Sequence, residues 1–339
     1  MQVPPRLTDE SAIESEISLL FISAIDTPVV REDLTFLKRY YHVRDRVGHG
    51  FFHALKIMVD VFRSDLIFCW FASVYASVAV VLARTIGVPT IIIVGGVDVA
   101  KDKELKYGMW LSPWRSRLLR YALVHADQIL VVDPSLKADA IRLAKYDGHN
   151  IAYLPTGYDS AYWTAIGAKE RFVLTVAAVR DERRFKVKGI DVLIQVAWML
   201  RDIRFVVVGV EAQVALSFYP PMNMSFLPAV PREDLLQLYR EAKVYCQPSV
   251  REGLPSTLCE SMLCECIPVA TDVGGSRTAV GNSGILVVAR DVEELSNSIR
   301  TALDMPASVG MDARSRIVSM FPKQKRETGL LHIITDLIG

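Results

Sequence analysis

Short apolar, β-branched blocks alternate along this chain with longer stretches in which apolar side chains recur every three or four positions. ISLLFIS (17–23) leads into the helical pattern VVREDLTFLKRYY (29–41). Leu66 to Ala83, LIFCWFASVYASVAVVLA, holds 18 residues without a charge, the lower limit for a membrane span. Its texture favours another reading. DLIFCWF is a short strand, VYASVAVVLARTIG a buried helix closed by Gly87, and Pro89 opens a second strand, TIIIVGG. A βαβ unit with both strands buried predicts such continuous apolar runs. SRLLRYALVHA (helix), QILVVD (strand), SLKADAIRLA (helix) and IAYLP (strand) follow.

The second half repeats the scheme. RFVLTVAAV (171–179) precedes the helix GIDVLIQVAWML. IRFVVVG, MSFLP, the helix REDLLQLYREA, the strand KVYCQPS, a helix through Glu260 and the strand CIPVAT come next. Strand–helix alternation of this kind builds doubly wound parallel sheets with right-handed crossovers. The segment 154–170, rich in Pro, Gly, Thr and Ser, is the one credible connection between two domains. We therefore divide the chain into residues 1–155, a linker over 156–170, a second domain over 171–320 and a closing helix over 321–339. Two such domains bind ligands between the carboxyl ends of their strands.

A length of 339 residues agrees with two domains, and 51% hydrophobic with 23% charged residues is a globular composition. The net charge of +1 gives no footprint for nucleic acid. Cys69, Cys246, Cys259, Cys264 and Cys266 are an odd set without C-x2-C pairs, which reads as reduced thiols in a cytosolic protein with no metal centre. Asp9, Glu10, Glu14 and Glu16 precede any apolar run, so the beginning of the chain does not read as a signal peptide. His49 and His53 have an i, i+4 spacing but no third ligand.

No G-x-G-x-x-G follows any strand and no G-x-x-x-x-G-K-[ST] occurs, which argues against a nicotinamide oxidoreductase or a phosphate-loop enzyme. REGLPSTLCESM (251–262) offers another set of phosphate handles. After a strand the chain turns at Gly253 and enters a helix at Ser256 or Thr257, with Pro255 suited to the first helical position. A helix N-terminus presents free amides to phosphate oxygens. Glu252 lies before the turn and Glu260 about one turn into the helix, a spacing that suits gripping a ligand along its length better than sharing a proton.

The block PSVREGLPSTLCESMLCECIPVATDVGGSRTAVGNSGILV strongly resembles the C-terminal signature of the retaining, GT-B-fold glycosyltransferases of family 4: a glutamate, seven residues, a glutamate, then a strand and a Gly-Gly turn. LTVAAVRDERRFKVKGIDVLIQVA and FLPAVPREDLLQLYREAKVYCQPS resemble other blocks of that family in the same order, and the likeness covers about 87–320. It implies two Rossmann-like domains facing across a cleft, a nucleotide-diphosphate sugar donor, and sugar transfer to an acceptor hydroxyl with retention. No metal or other cofactor is expected, since no D-x-D tripeptide occurs. The implied roles place Glu252 at the donor sugar and Glu260 at the ribose. Gly253, Leu254, Pro255, Ser256 and Thr257 would lie along the diphosphate. Lys188, with Arg180 or else Arg183 or Arg184, would face the departing diphosphate.

The first half departs from the family's pattern. SAIDTP lacks a glycine-rich turn, Gly95-Gly96 stand where a histidine is usual, and Arg277 and Thr278 follow the Gly-Gly turn where a glutamate is usual. Gly95, Gly96, Asp98 and His49 are the acceptor-side candidates. Asp98 has a turn-capping alternative. The acceptor itself, whether a glycan, a lipid-linked or a small molecule, is not specified by the sequence. The stretch 106–123, with Trp110 and Trp114 among Arg115, Arg117 and Arg120, is a candidate for peripheral contact with a membrane. A non-catalytic GT-B subunit is the alternative reading.

Overall fold

The computed structural model describes residues 17–339; the acidic stretch near the beginning lies outside them. The first half runs β1 (Ser18–Ser23), α1 (Pro28–Leu37), β2 (His42–Val47), α2 (Phe51–Val61), β3 (Leu66–Trp70) and α3 (Val74–Ile86). It continues with β4 (Thr90–Val94), α4 (Pro113–His125), β5 (Gln128–Val131), α5 (Pro134–Ala144) and β6 (Ile151–Tyr153). These strands form one parallel sheet in the order β2-β1-β3-β4-β5-β6. β3 and β4 are fully buried, and α3 between them is capped by the Ser73 side chain and ended by Gly87 at φ 73°. The uncharged run is thus a buried βαβ unit. Among the described residues no helix is long and apolar enough to cross a membrane.

The second half runs β7 (Glu170–Val179), α6 (Glu182–Val187), α7 (Ile190–Met199), β8 (Arg204–Val210), α8 (Ala212–Leu216), β9 (Met224–Leu227) and α9 (Arg232–Glu241). Then follow β10 (Ala242–Gln247), α10 (Ser256–Leu263), β11 (Ile267–Thr271), α11 (Gly275–Val280) and β12 (Ile285–Val287). A second parallel sheet results, in the order β12-β11-β10-β7-β8-β9. Three helices follow it: α12 (Val292–Asp304), α13 (Ser308–Met320) and α14 (Lys323–Ile338).

α14 returns to the first half. Its Arg326, 4% exposed, donates to both carboxylate oxygens of Asp33 on α1 and to the Leu154 carbonyl. Asp33 also accepts from the Trp70 indole at 2.8 Å. The closing helix therefore ties the two halves together through a buried charge pair. The five cysteines are buried and unpaired, and burial pushes their thiols up.

Candidate functional site

The turn between β10 and α10 carries Glu252, and two elements hold its carboxylate. Lys188, at the C-terminal end of α6, places Nζ 2.6 Å from Oε1. Gln247, the last residue of β10, donates to the same oxygen at 2.8 Å. Both bonds fall on Oε1, which leaves Oε2 for a ligand. Gln247 is fixed in turn by Tyr245, whose hydroxyl donates to the Gln247 side-chain amide oxygen at 3.0 Å and lies 2.8 Å from the Thr257 hydroxyl. The Thr257 side chain thus serves this internal network.

α10 starts at Ser256, with Pro255 just before the helix, and among the described residues no side chain caps its N-terminus. Its first amides are left for an anion. Glycine is required here by close approach. A Cβ on Gly253 would strike the Gly95 carbonyl, and one on Gly275 would strike the Gly253 carbonyl, which already accepts from the Gly275 amide at 2.7 Å. The Gly-Gly turn at 274–275 therefore buttresses the Glu252 turn, and the two halves meet there backbone to backbone. Arg277 beyond it pairs with Asp272.

A cavity of about 180 Å³ lies across this contact, lined by Phe71, Gly95, Gly96 and Tyr107 from the first half and by Arg184, Arg251, Glu252 and Gly253 from the second. Of the three candidate arginines, Arg184 faces it. Asp181 caps α6 by accepting from the Arg184 amide, and Arg184 lines the cleft from that short helix. Arg180 is exposed at the end of β7 and outside the lining, and Arg183 reaches the Lys106 carbonyl at 3.4 Å.

Tyr107 and Arg251 are site residues that sequence patterns did not single out. Burial, with the charge of Glu252 adding, pushes the Tyr107 phenol up to about 12. Arg251 crosses to Asp139 on α5 at 3.0 Å.

Two acceptor-side candidates take other places. Asp98 is fully buried and accepts from the backbone amides of Ala72, Gly95 and Gly96, so it shapes the Gly95-Gly96 turn from beneath. Burial pushes its carboxyl up to about 6 against the pull of those amides. His49 is exposed on the loop between β2 and α2 and does not line the cavity. His53 packs edge-on against Tyr75, and among the described residues no group of three or more His, Cys, Asp or Glu side chains is placed to hold a metal. In the 106–123 stretch Trp110 points inward and donates to the Asp98 carbonyl, whereas Trp114 is exposed.

Glu260 is apart from Glu252 and more enclosed than an open cleft would leave it, at 9% exposure. Its described hydrogen bond comes from the Tyr239 hydroxyl at 3.4 Å. Burial pushes its carboxyl up to about 8, Glu32 adds to this, and Arg232 and Tyr239 oppose it. Arg232 bridges to Glu32 at 2.9 Å and stacks over Tyr162 and Trp163.

Two facing parallel sheets, with a cation–carboxylate pair at an uncapped helix mouth between them, have the architecture of the GT-B glycosyltransferases. Residues 165–319 match the family of glycosyl transferases group 1, and residues 24–162 match glycosyltransferase family 4. The chain belongs to this glycosyltransferase family. It is 28% identical over 205 residues to a D-inositol 3-phosphate glycosyltransferase of Mycobacterium sp. (strain JLS), a match covering 55% of this chain and 44% of that protein. It is 22% identical over 266 residues to the phosphatidylinositol N-acetylglucosaminyltransferase GPI3 subunit of Saccharomyces cerevisiae, covering 72% of this chain and 56% of that one. The chain thus spans about half the length of the curated relatives it matches.

Among solved structures, sucrose-phosphate synthase of Thermosynechococcus elongatus superposes with a TM-score of 0.76 at 14% identity, over 95% of this chain and 99% of that one. Anabaena Alr3699/HepE in complex with UDP gives 0.73 at 15% identity, over 94% and 100%. These likenesses establish the GT-B fold.

Proposed function

We propose that this chain transfers a sugar from a nucleoside-diphosphate sugar to an acceptor hydroxyl with retention of anomeric configuration. The observation that carries the reading is the Lys188–Glu252 pair, set at the N-terminus of α10 with Gly253 bare beside it. As the sugar–phosphate bond breaks, negative charge grows on the departing diphosphate. Lys188, held by Glu252, and the α10 amides are donors set toward that charge, and Arg184 lines the same cavity; such donors lower the barrier. The Glu252 carboxylate, held through Oε1, offers Oε2 to a sugar hydroxyl. The cavity is below the roughly 300–1,000 Å³ of typical ligand sites, so a whole donor enters only when the halves part and the Arg251–Asp139 and Arg232–Glu32 bridges loosen.

Uridine diphosphate is the first nucleotide to try, since a structure of the Anabaena relative is a complex with UDP. In thermal unfolding with uridine, guanosine and adenosine diphosphates and their sugars, at least one ligand at 100 times its Kd is expected to add about 2.7 kcal/mol. If none raises the melting temperature, the donor site is misassigned.

A second expected result concerns Glu260, read here as the ribose-gripping carboxylate. With its carboxyl near 8 in the empty protein, it is mostly protonated at pH 7. Its pKa lies above the unfolded value, so its effect on stability grows less favourable as pH rises from about 4.5 to 8. Hydroxyls donating to it favour the ionised form. Nucleotide binding at pH 7 is therefore expected to release a proton, and affinity to rise with pH up to about 8. Calorimetric titrations in two buffers of different ionisation enthalpy measure this directly; identical apparent enthalpies would remove Glu260 from the binding site.

The reading also includes peripheral membrane contact near 106–123, where Trp114 is exposed with the Arg115 guanidinium 5.3 Å from its ring.

A further inference from the structure

Helix α2 is apolar on both sides. Ile57 and Val61 enter the core, whereas Phe51, Phe52, Leu55, Met58, Val59 and Phe62 are exposed, the first two at 74% and 79%. Their spacing puts all six on one outward stripe of a 3.6-residue helix. Isolated exposed apolar residues are ordinary; a continuous stripe marks an interaction surface.

Charge decides what covers it. Lys56 and Arg63 are exposed beside the stripe, and the one acid of the helix, Asp60, is buried against Arg46 at 2.7 Å. The steps β2 to β3, β3 to β4 and β4 to β5 run the same way along the sheet, so right-handed crossovers lay α2, α3 and α4 side by side on one face. α3 and α4 contain no aspartate or glutamate, and they expose Arg84, Arg115, Arg117 and Arg120 together with Val81, Ile86 and Trp114. In a chain with a net charge of +1, this is local segregation of cations around a protruding aromatic stripe. A second copy on this face would set like charges against each other, which opposes pairing. An anionic bilayer satisfies both parts: phosphate headgroups take the cations, and the phenylalanines enter the interface.

We propose that the α2–α4 face docks onto an anionic lipid bilayer, with Phe51 and Phe52 as the inserted residues. This deepens the membrane contact considered for 106–123: α2 becomes the inserting element and α4 part of its cationic rim. α2 starts just past the carboxyl end of β2, the end of the first sheet at which the cleft opens, so docking brings that end to the lipid surface.

Vesicle binding needs neither donor nor acceptor and so stands or falls independently of the transferase reading. The full chain is sedimented with phosphatidylcholine vesicles, with or without about 30 mol % phosphatidylglycerol. It is expected to bind the anionic vesicles at least about tenfold more strongly than the neutral ones. Phe51→Ser with Phe52→Ser is expected to lower that binding roughly tenfold with an unchanged melting temperature, and Arg115→Glu with Arg117→Glu to weaken it as well. A Phe52→Trp reporter is expected to shift its emission to the blue on anionic vesicles.

No binding to anionic vesicles, full binding by the double serine variant, or no emission shift would each overturn the proposal. A lipid-free dimer that the serine variant converts to monomer, without lipid binding by the parent, would assign the face to a second copy instead.

Discussion

Replacing Lys188 by alanine is expected to slow release of nucleotide from the correct sugar donor by about two to three orders of magnitude, the loss typical when one fixed donor to a developing anion is removed. Lys188 is the cation in direct contact with Glu252, at 2.6 Å. Its loss acts twice. It takes a charge away from the departing diphosphate, and it leaves the Glu252 carboxylate, 9% exposed, with Gln247 as its remaining described partner. The second effect costs stability, on the order of 1–3 kcal/mol, so the variant's melting temperature must be measured beside its rate. Lys188→Arg keeps the charge and is expected to recover part of the rate, because a guanidinium cannot reproduce the geometry of a compact ammonium. A folded Lys188→Ala protein that releases nucleotide at the parental rate would remove the cation from the mechanism.

Breaking the Asp33–Arg326 pair has the largest expected effect on stability. Both side chains are almost completely enclosed, and the guanidinium lies 5.6 Å from the Trp70 ring centre. Removing one partner strands a buried charge, a loss of about 3–5 kcal/mol. Arg326→Met leaves Asp33 with the Trp70 indole as its described donor, and Asp33→Asn leaves the guanidinium without its carboxylate, the Leu154 carbonyl remaining. The double variant Asp33→Asn with Arg326→Met removes both charges and is expected to recover much of the loss, since an uncharged pair carries no desolvation penalty of that size. Denaturant unfolding of the two single variants and the double variant measures the coupling. Single variants that unfold at the parental midpoint would show that the pair contributes nothing.

The apolar runs made most of the fold legible, because strands buried on both faces cannot hide their composition: LIFCW and TIIIV became β3 and β4. HVRDRV escaped notice for the complementary reason. Among the described strands it is β2, which lies at the edge of the sheet and pairs with β1, and it carries its charges where no core constrains them. The Glu252 turn was equally legible, since a glycine, a proline and a helix start leave a local mark. The cation opposite it was not. Which of Arg180, Arg183 and Arg184 meets the cleft depends on the pitch of α6, a short helix set by the Asp181 cap. Tyr107 and Arg251 come into the site through contacts between halves, as does the Gly95 carbonyl above Gly253, and no local pattern encodes those. Asp98 shows the reverse limit: an acid just after a strand leaves a ligand contact and a turn cap equally open in the sequence, and its three backbone donors make it the support of a turn.

The Arg326–Asp33 pair also carries a kinetic consequence at the ribosome. The partners are 293 residues apart, and at ~5–20 residues per second the arginine is made roughly 15 to 60 s after the aspartate. Throughout that interval the nascent first half must hold Asp33 with its guanidinium not yet synthesised. Early compaction around Trp70 then proceeds with that corner open to water. A helix made after both sheets is thus the one that seals the earlier-made half.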